Sequence, residues 1–312
     1  IDPLETGDNV ISGYVRPVEL PASMAHAGYV MAVFANILGM SREAVRYEQL
    51  HEDYLARARE LWDADEGRFR DWDKTGDRFV EVAGKEDYWG ADFTRQSPLS
   101  LIALLFDTAT EEQKRQMMPE VLGFFRPPFT IWPSWSTFVL EAAASLGMHR
   151  FAGSMAFEIA NRVYAGTDRR STEEFERPLP GAAPEYWPHD WSTFGGNDAY
   201  AWGAQSASFV IRHVMGIRPS ERRDGLGLIL APSLSPGLRA YGTEFGVENL
   251  VHRNTRISVR YVVDHGDDIA CTVELPSTRM LTLTSDGQPA QELSPSTRHV
   301  FTVRNGTRVQ ID

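Results

Sequence analysis

The spacing of apolar positions divides the chain into an early region with a period near 3.6 and a late region with a period of 2. Residues 20 to 38 and 42 to 63 read as two amphipathic helices joined by "GMS", with Ser41 as the expected N-cap and Glu43 in the first turn. In the second of these, Tyr47, Leu50, Tyr54, Ala58 and Leu61 recur every three or four residues and share one face. "LWDADEGRFRDWD" turns at Asp65-Glu66-Gly67 between short alternating runs, which predicts a hairpin. Further helices are predicted at about 97 to 107, 110 to 124, 133 to 147, 150 to 166 and 199 to 215, punctuated by Thr110, Pro133-Ser134 and Gly147. Beyond about 226 the runs "LGLILAPSL", "TRISVRYVVDH", "IACTVELP", "MLTLTSDG" and "HVFTVRNGTRVQI" alternate and end in Gly, Asp, Asn or Pro. They predict antiparallel strands of a small β-sandwich, and the change of period puts a domain boundary at about 217 to 226, dividing residues 1 to 220 from 221 to 312. No close sequence repeat stands out, only the recurrence of helix pairs.

Composition fits a folded globular chain of 312 residues, 42% of them hydrophobic. The formal net charge of −12 repels phosphate backbones and anionic membranes, so neither nucleic acid nor a membrane surface is an expected partner. The most apolar run, "MAHAGYVMAVFANILGM", contains His26 and Asn36 and is shorter than the ~20 residues of a bilayer span, so it reads as a buried helix. The one cysteine, Cys271, lies in an alternating run and reads as a small buried hydrophobe. The first residue is Ile1, with no basic n-region after it; this points to a processed or truncated chain and leaves the compartment open.

Aromatic residues and carboxylates gather in the stretches between the expected helices. "GAAPEYWPHDWSTFGGNDAYAWGAQ" at 181 to 205, "KEDYWGADFTRQ" at 85 to 96, the aromatic "PPFTIWPSW" at 127 to 135 and the acidic "DPLETGDN" at 2 to 9 share this character. Paired helices closing into a toroid leave such loops at one end, where a site is built. Sugars stack their C–H faces on Trp and Tyr and pair their hydroxyls with Asp, Glu and Arg, so a carbohydrate cleft accounts for the mixture. Filling the core at a helix start is the competing role for Trp89, Trp132 and Trp135.

Hydrolysing a glycosidic bond without a cofactor requires two carboxyl groups, one to donate a proton and one to activate water or attack. Glu185, set among prolines and aromatics that would desolvate it, is the leading candidate among the later carboxylates. Glu173, Glu174 and Glu176 compete, although helix capping after Ser171 and Thr172 explains them equally well. Glu5 and Asp8 are candidates for the partner, with turn formation as the alternative. No metal-ligand spacing, phosphate-cradling loop or Ser-His-Asp order occurs, so neither metal nor cofactor is expected.

Residues 1 to about 217 resemble the C-terminal part of the (α/α)6 barrel of six-hairpin glycosidases, in particular glycoside hydrolase families 37 and 63, which contain trehalase and the processing α-glucosidase. "LARARELWDADEGRFRDWD" is similar to a family helix followed by its acidic hairpin, and "FTIWPSWSTFVLEAAASLG" to a family helix start. The family places its catalytic base on a Glu about 17 residues before an aromatic-Gly helix start; Glu185 stands 17 positions before Trp202. "EFERPLPG" gives Glu174 a second claim. The family's general acid is an Asp in "E-S-G-x-D-x-S-P-R"; here "ETGDNVISGY" puts Asn9 at that position and Asp8 one residue early.

The resemblance therefore implies an inverting hydrolase of a glucoside or similar small saccharide, with Asp8 as acid and Glu185 or Glu174 as base. Trp132, Trp135, Trp187, Trp202 and Trp89 would wall the sugar subsite, with Asp92 and Arg95 meeting hydroxyls. About seven helices stand where the fold has twelve, which implies a missing segment or a second chain supplying the rest of the barrel. A non-catalytic carbohydrate-binding or structural subunit, suggested by Asn9 and the missing helices, is the alternative from another class. A polysaccharide lyase or epimerase on the same toroid is a third reading, and His189 would be its local base.

Overall fold

The computed structural model describes residues 15–80, 98–106, 108–124, 135–164, 204–220, 225–285 and 287–312. They fall into two compact units, divided between Leu146 and Gly147.

The first unit opens with the short strand β1 (Val15–Arg16) and the helix pair α1 (Glu19–Ile37) and α2 (Ser41–Arg59). The expected αα-hairpin is therefore present. The two helices meet through small residues: Ala22, Ala25, Gly28, Ala32 and Ala35 are buried on α1. A Cβ on Gly28 would lie 2.8 Å from the backbone nitrogen of His51, so only glycine permits this approach. The His51 ring caps the contact, with Nδ1 2.8 Å from the Ala25 carbonyl. Ser41 is not the cap that the sequence predicts. It is the first helical residue, and Met40 holds the cap position without a side-chain hydrogen bond; the tight turn at Gly39 (φ +71°) shifts the start by one residue.

Two hairpins follow, β2 (Trp62–Asp63) with β3 (Arg68–Phe69) and β4 (Trp72–Asp73) with β5 (Arg78–Phe79). They repeat one sequence, Trp-Asp-x-x-x-x-Arg-Phe, ten residues apart. In each the Trp pairs with the Phe across the ladder, and the rings meet edge-on at 5.1 and 5.0 Å. This short repeat was not legible as one at the scale of helix pairs. β1 adds to β4, giving the order β1-β4-β5.

Next come a 3₁₀ turn (Pro98–Leu101), α3 (Ile102–Leu105), α4 (Glu111–Gln116), α5 (Met118–Gly123) and α6 (Ser136–Ser145). Thr110 begins α4 with a capping box: its Oγ1 accepts from the Gln113 backbone N–H, and Gln113 Oε1 accepts from the Thr110 N–H. Pro119 in the first turn of α5 explains why the expected single helix from 110 to 124 is two. α6 packs on α3, α5 and the 3₁₀ turn.

The second unit holds α7 (His149–Tyr164), α8 (Gln205–Phe209), which runs into a π-helical turn at Val210–Val214, and one antiparallel sheet. Its strands are β6 (Ile217–Pro219), β7 (Leu228–Leu230), β8 (Glu244–His252), β9 (Thr255–Val263), β10 (Asp268–Ser285), β11 (Gln291–Arg304) and β12 (Val309–Ile311), in the order β6-β7-β12-β10-β9-β8, with β11 on β10. The runs "IACTVELP" and "MLTLTSDG", expected as two strands, are two halves of β10. The ladder to β11 shifts register between Glu274 and Arg279, and the strand pairs with β9 before that irregularity and with β12 after it. Alternate residues from both halves are buried, among them Ile269, Cys271, Val273, Leu281 and Leu283, together with Tyr261 from β9 and Ile311 from β12. Helices followed by an antiparallel sheet is thus the observed order of the chain.

Candidate active site

Most of the expected site lies outside the described residues: Asp8, Glu185 and Glu174 among the carboxylates, Trp89, Asp92, Arg95, Trp132, Trp187 and Trp202 among the substrate contacts, and His189. Trp135 is described. It occupies the N-cap position of α6 without a side-chain capping hydrogen bond and is partly buried.

The structure does show how the chain is anchored beside the segments that carry the expected site residues. Arg70 joins the two hairpins: Nη1 donates to Asp63 Oδ2 at 2.6 Å, and Nη2 donates to the carbonyl of Val80 at 2.7 Å. Val80 in turn donates its N–H to the Asp71 carbonyl. The chain is therefore fixed at the point where it enters the segment carrying Trp89, Asp92 and Arg95. Asp71 Oδ1 accepts from the Val18 N–H at 2.8 Å, which ties the start of α1, and with it the strand that follows the acidic opening, to the same pair of hairpins.

Asp63 is 6% exposed. Burial pulls its carboxyl upward, but the hydrogen bond and charge of Arg70 and the N–H groups of Glu66 and Asp65 outweigh it, so it stays ionised below the ordinary Asp value. In the second unit α7 packs against α8 and the π-helical turn, so both flanks of the segment carrying Glu174, Glu185, Trp187 and Trp202 rest on one set of helices.

The second unit also buries a basic cluster that sequence reasoning did not single out. His149, at the start of α7, is 7% exposed, and its Nδ1 accepts from Arg218 Nη2 at 3.1 Å. Burial, and then the positive charges of Arg218, Arg308 and His213, lower its pKa to about 4. Since arginine only donates, the neutral ring carries its proton on Nε2.

Cys271 is fully buried, and burial pushes its thiol upward, away from nucleophilic use. Asn305 stands in the sequon Asn-Gly-Thr, yet it is 3% exposed; its Oδ1 accepts from the Leu234 N–H and its Nδ2 donates to the Leu234 carbonyl. In the folded chain this amide is structural and closed to glycosylation. Among the described residues no group of His, Cys, Asp and Glu is arranged to hold a metal ion, and no helix is long and apolar enough to cross a membrane.

No protein-family model matches the chain, and no curated protein matches it. Among solved structures it is similar to a sialidase, with a TM-score of 0.57 and 13% identity over 85% of this chain and 25% of that one. The two share a fold over the aligned part, and this chain spans a quarter of the sialidase's length. Weaker likenesses are to a GH63 mannosylglycerate hydrolase from Thermus thermophilus in complex with glucose (TM-score 0.43, 16% identity, 64% of this chain and 48% of that one) and to the GH127 β-arabinofuranosidase BT3674 (TM-score 0.27, 11% identity, 96% and 43%). Both scores are too low to establish a shared fold.

Proposed function

We propose that this chain is the C-terminal part of an (α/α)6-barrel glycoside hydrolase, with its antiparallel sheet forming the accompanying β-sandwich and the barrel running to about residue 220. It acts on a glucoside or similar small saccharide with inversion, Asp8 serving as acid and Glu185 as base, and Glu174 as the competitor for the base. The observation that carries this reading is the chain order of helix pairs, acidic hairpin and antiparallel sheet, shared in fold with a sialidase over most of the chain. The sequence supplies the chemistry: carboxylates set among Trp, Tyr and Arg in the stretches between helices.

The test is turnover on a panel of small glucosides and disaccharides. Under this reading Glu185→Gln lowers kcat by about 10²–10⁴-fold, the usual contribution of a general base, while the melting temperature stays that of the parent. Full activity in Glu185→Gln together with loss in Glu174→Gln would transfer the role to Glu174. Asn9, in the place of the family's acid, favours one second reading, a carbohydrate-binding subunit without turnover. Saccharide binding by a parent protein that hydrolyses nothing would establish that reading instead.

A further inference from the structure

Two adjoining turns at one end of the sheet in the second unit hold a pair of open rings. Tyr241, in the turn before β8, stacks on His265, in the loop between β9 and β10, with centroids 4.8 Å apart and planes 13° apart. Tyr241 is 73% exposed and the His265 side chain 87%, so rings that cover each other on one face are bare on the other. The backbone beneath them is tied down. Gly242 donates its N–H to the Val263 carbonyl and Val263 donates to the Thr243 carbonyl, at 2.9 Å each, which joins the two turns. The loop is closed by the N–H of Asp264 on the Asp268 carbonyl (2.9 Å) and that of Asp268 on the His265 carbonyl (3.2 Å). Asp267 is clamped from three sides: Oδ1 accepts from Arg239 Nη1 at 2.8 Å, Oδ2 from Arg150 Nη2 at 2.6 Å, and its carbonyl from the Asn305 N–H at 2.7 Å. Arg239 and Asp267 each stand two residues from a ring, so their ion pair links the ring-bearing turns directly. A Cβ on Gly242 or Gly266 would meet nothing within 4 Å, so neither turn is crowded beside its ring. Singly exposed apolar side chains are ordinary; here two rings are held in one plane, and a surface fixed before its ligand arrives loses little freedom on binding.

We propose that the outer face of Tyr241 is a saccharide-binding platform that takes one ring of a neutral oligosaccharide by its C–H face, built from residues that have no role in the proposed hydrolysis. The tyrosine ring offers the apolar π surface on which a sugar stacks. The Asp264 carboxylate, 56% exposed and with Oδ1 3.9 Å from His265 Nε2, stands beside the pair to accept from a hydroxyl. A nucleobase would stack as well, but the same carboxylate favours an uncharged, hydroxyl-rich ligand over one that carries phosphate. The choice of a saccharide over other ring-stacking ligands rests on the glycosidase reading, and the experiment separates the two.

The experiment is a proton NMR titration that follows the imidazole signals of His265, assigned by their loss in His265→Gln. The probes are maltopentaose and cellopentaose, added to the Glu185→Gln chain so that they are not consumed. The expected result is a saturable shift of the His265 signals with at least one probe. Its midpoint should rise about tenfold in Tyr241→Ala, which removes the stacking face, and stay unchanged in Tyr241→Phe, which keeps it. Because Tyr241 is exposed, both variants should melt with the parent. His265 signals that move with neither probe overturn the proposal, as does a titration that Tyr241→Ala leaves unchanged, or a shift produced by decaproline and by neither saccharide. Turnover by the parent without a His265 shift would leave the hydrolase reading standing and sink this one; a Tyr241-dependent shift in a chain that hydrolyses nothing would do the reverse.

Discussion

His149 is a buried imidazole whose nearest polar partner is a guanidinium, and this sets a pH dependence on folding. Its pKa is about 4 in the folded chain and about 6.5 unfolded. The unfolded state therefore binds the proton first, so stability is full above about pH 6.5 and falls as the pH drops toward 4. The difference corresponds to about 3 kcal/mol lost across that window. His149→Asn keeps an acceptor for Arg218 but cannot titrate, so its melting temperature should fall less than that of the parent between pH 6.5 and 4. Equal acid sensitivity in the two proteins would place the dependence elsewhere. Tyr261 shows the other face of burial: fully enclosed and stacked on Phe245 at 4.9 Å, its hydroxyl has no hydrogen-bond partner among the described residues. The sequence marks Tyr261 as a strand residue, but nothing in the local pattern says that its hydroxyl is left unpaired, because that depends on what the neighbouring strands bring to it.

The paired hairpins are the element on which the anchoring of the first unit depends. Asp63 holds the turn between β2 and β3 through the N–H groups of Asp65 and Glu66, and it fixes Arg70, which reaches on to Val80. Asp63→Asn leaves a partly buried guanidinium without its anion and is expected to cost about 2 kcal/mol in urea unfolding at pH 7. Because the folded carboxyl lies below its ordinary value, the parent keeps this contribution above about pH 4 and loses it on further acidification; the variant has none to lose. A loss under about 0.5 kcal/mol, the level of an exposed pair, would show that the ion pair does not hold the hairpins. At this scale most helices were legible, since three- and four-residue spacing needs no knowledge of partners. β8 was not, because its register shifts between Val247 and Leu250, where Asn249 takes φ +56° and interrupts the alternation. The first part of β11 was hidden in the same way by Ser294, Pro295 and Ser296, which read as a turn.

For the whole molecule, the barrel reading carries a stereochemical consequence. If Asp8 and Glu185 act across a cleft with a water between them, the first sugar released has the opposite anomeric configuration to the substrate. Proton NMR of the product within the first minutes of turnover checks this, before mutarotation mixes the anomers. A product that keeps the configuration would point to a nucleophilic carboxylate and a covalent intermediate. Of the candidate site, the sequence supplied every residue named, and the structure adds the place of Trp135 at the start of α6 and the anchoring of the chain beside the flanking segments.

The helix pairs, the acidic hairpin and the switch to alternating strands follow from the sequence by itself, because each rests on contacts a few residues apart. The sequence also set the formal net charge of −12. Tertiary structure alone decided that β10 serves two sets of neighbours, that α7 and α8 join the sheet in one compact unit, and that α1 turns its small residues toward α2 and its large ones away. These depend on which distant segments meet. Local periodicity can say that a face is apolar, but only the packed chain determines what covers it.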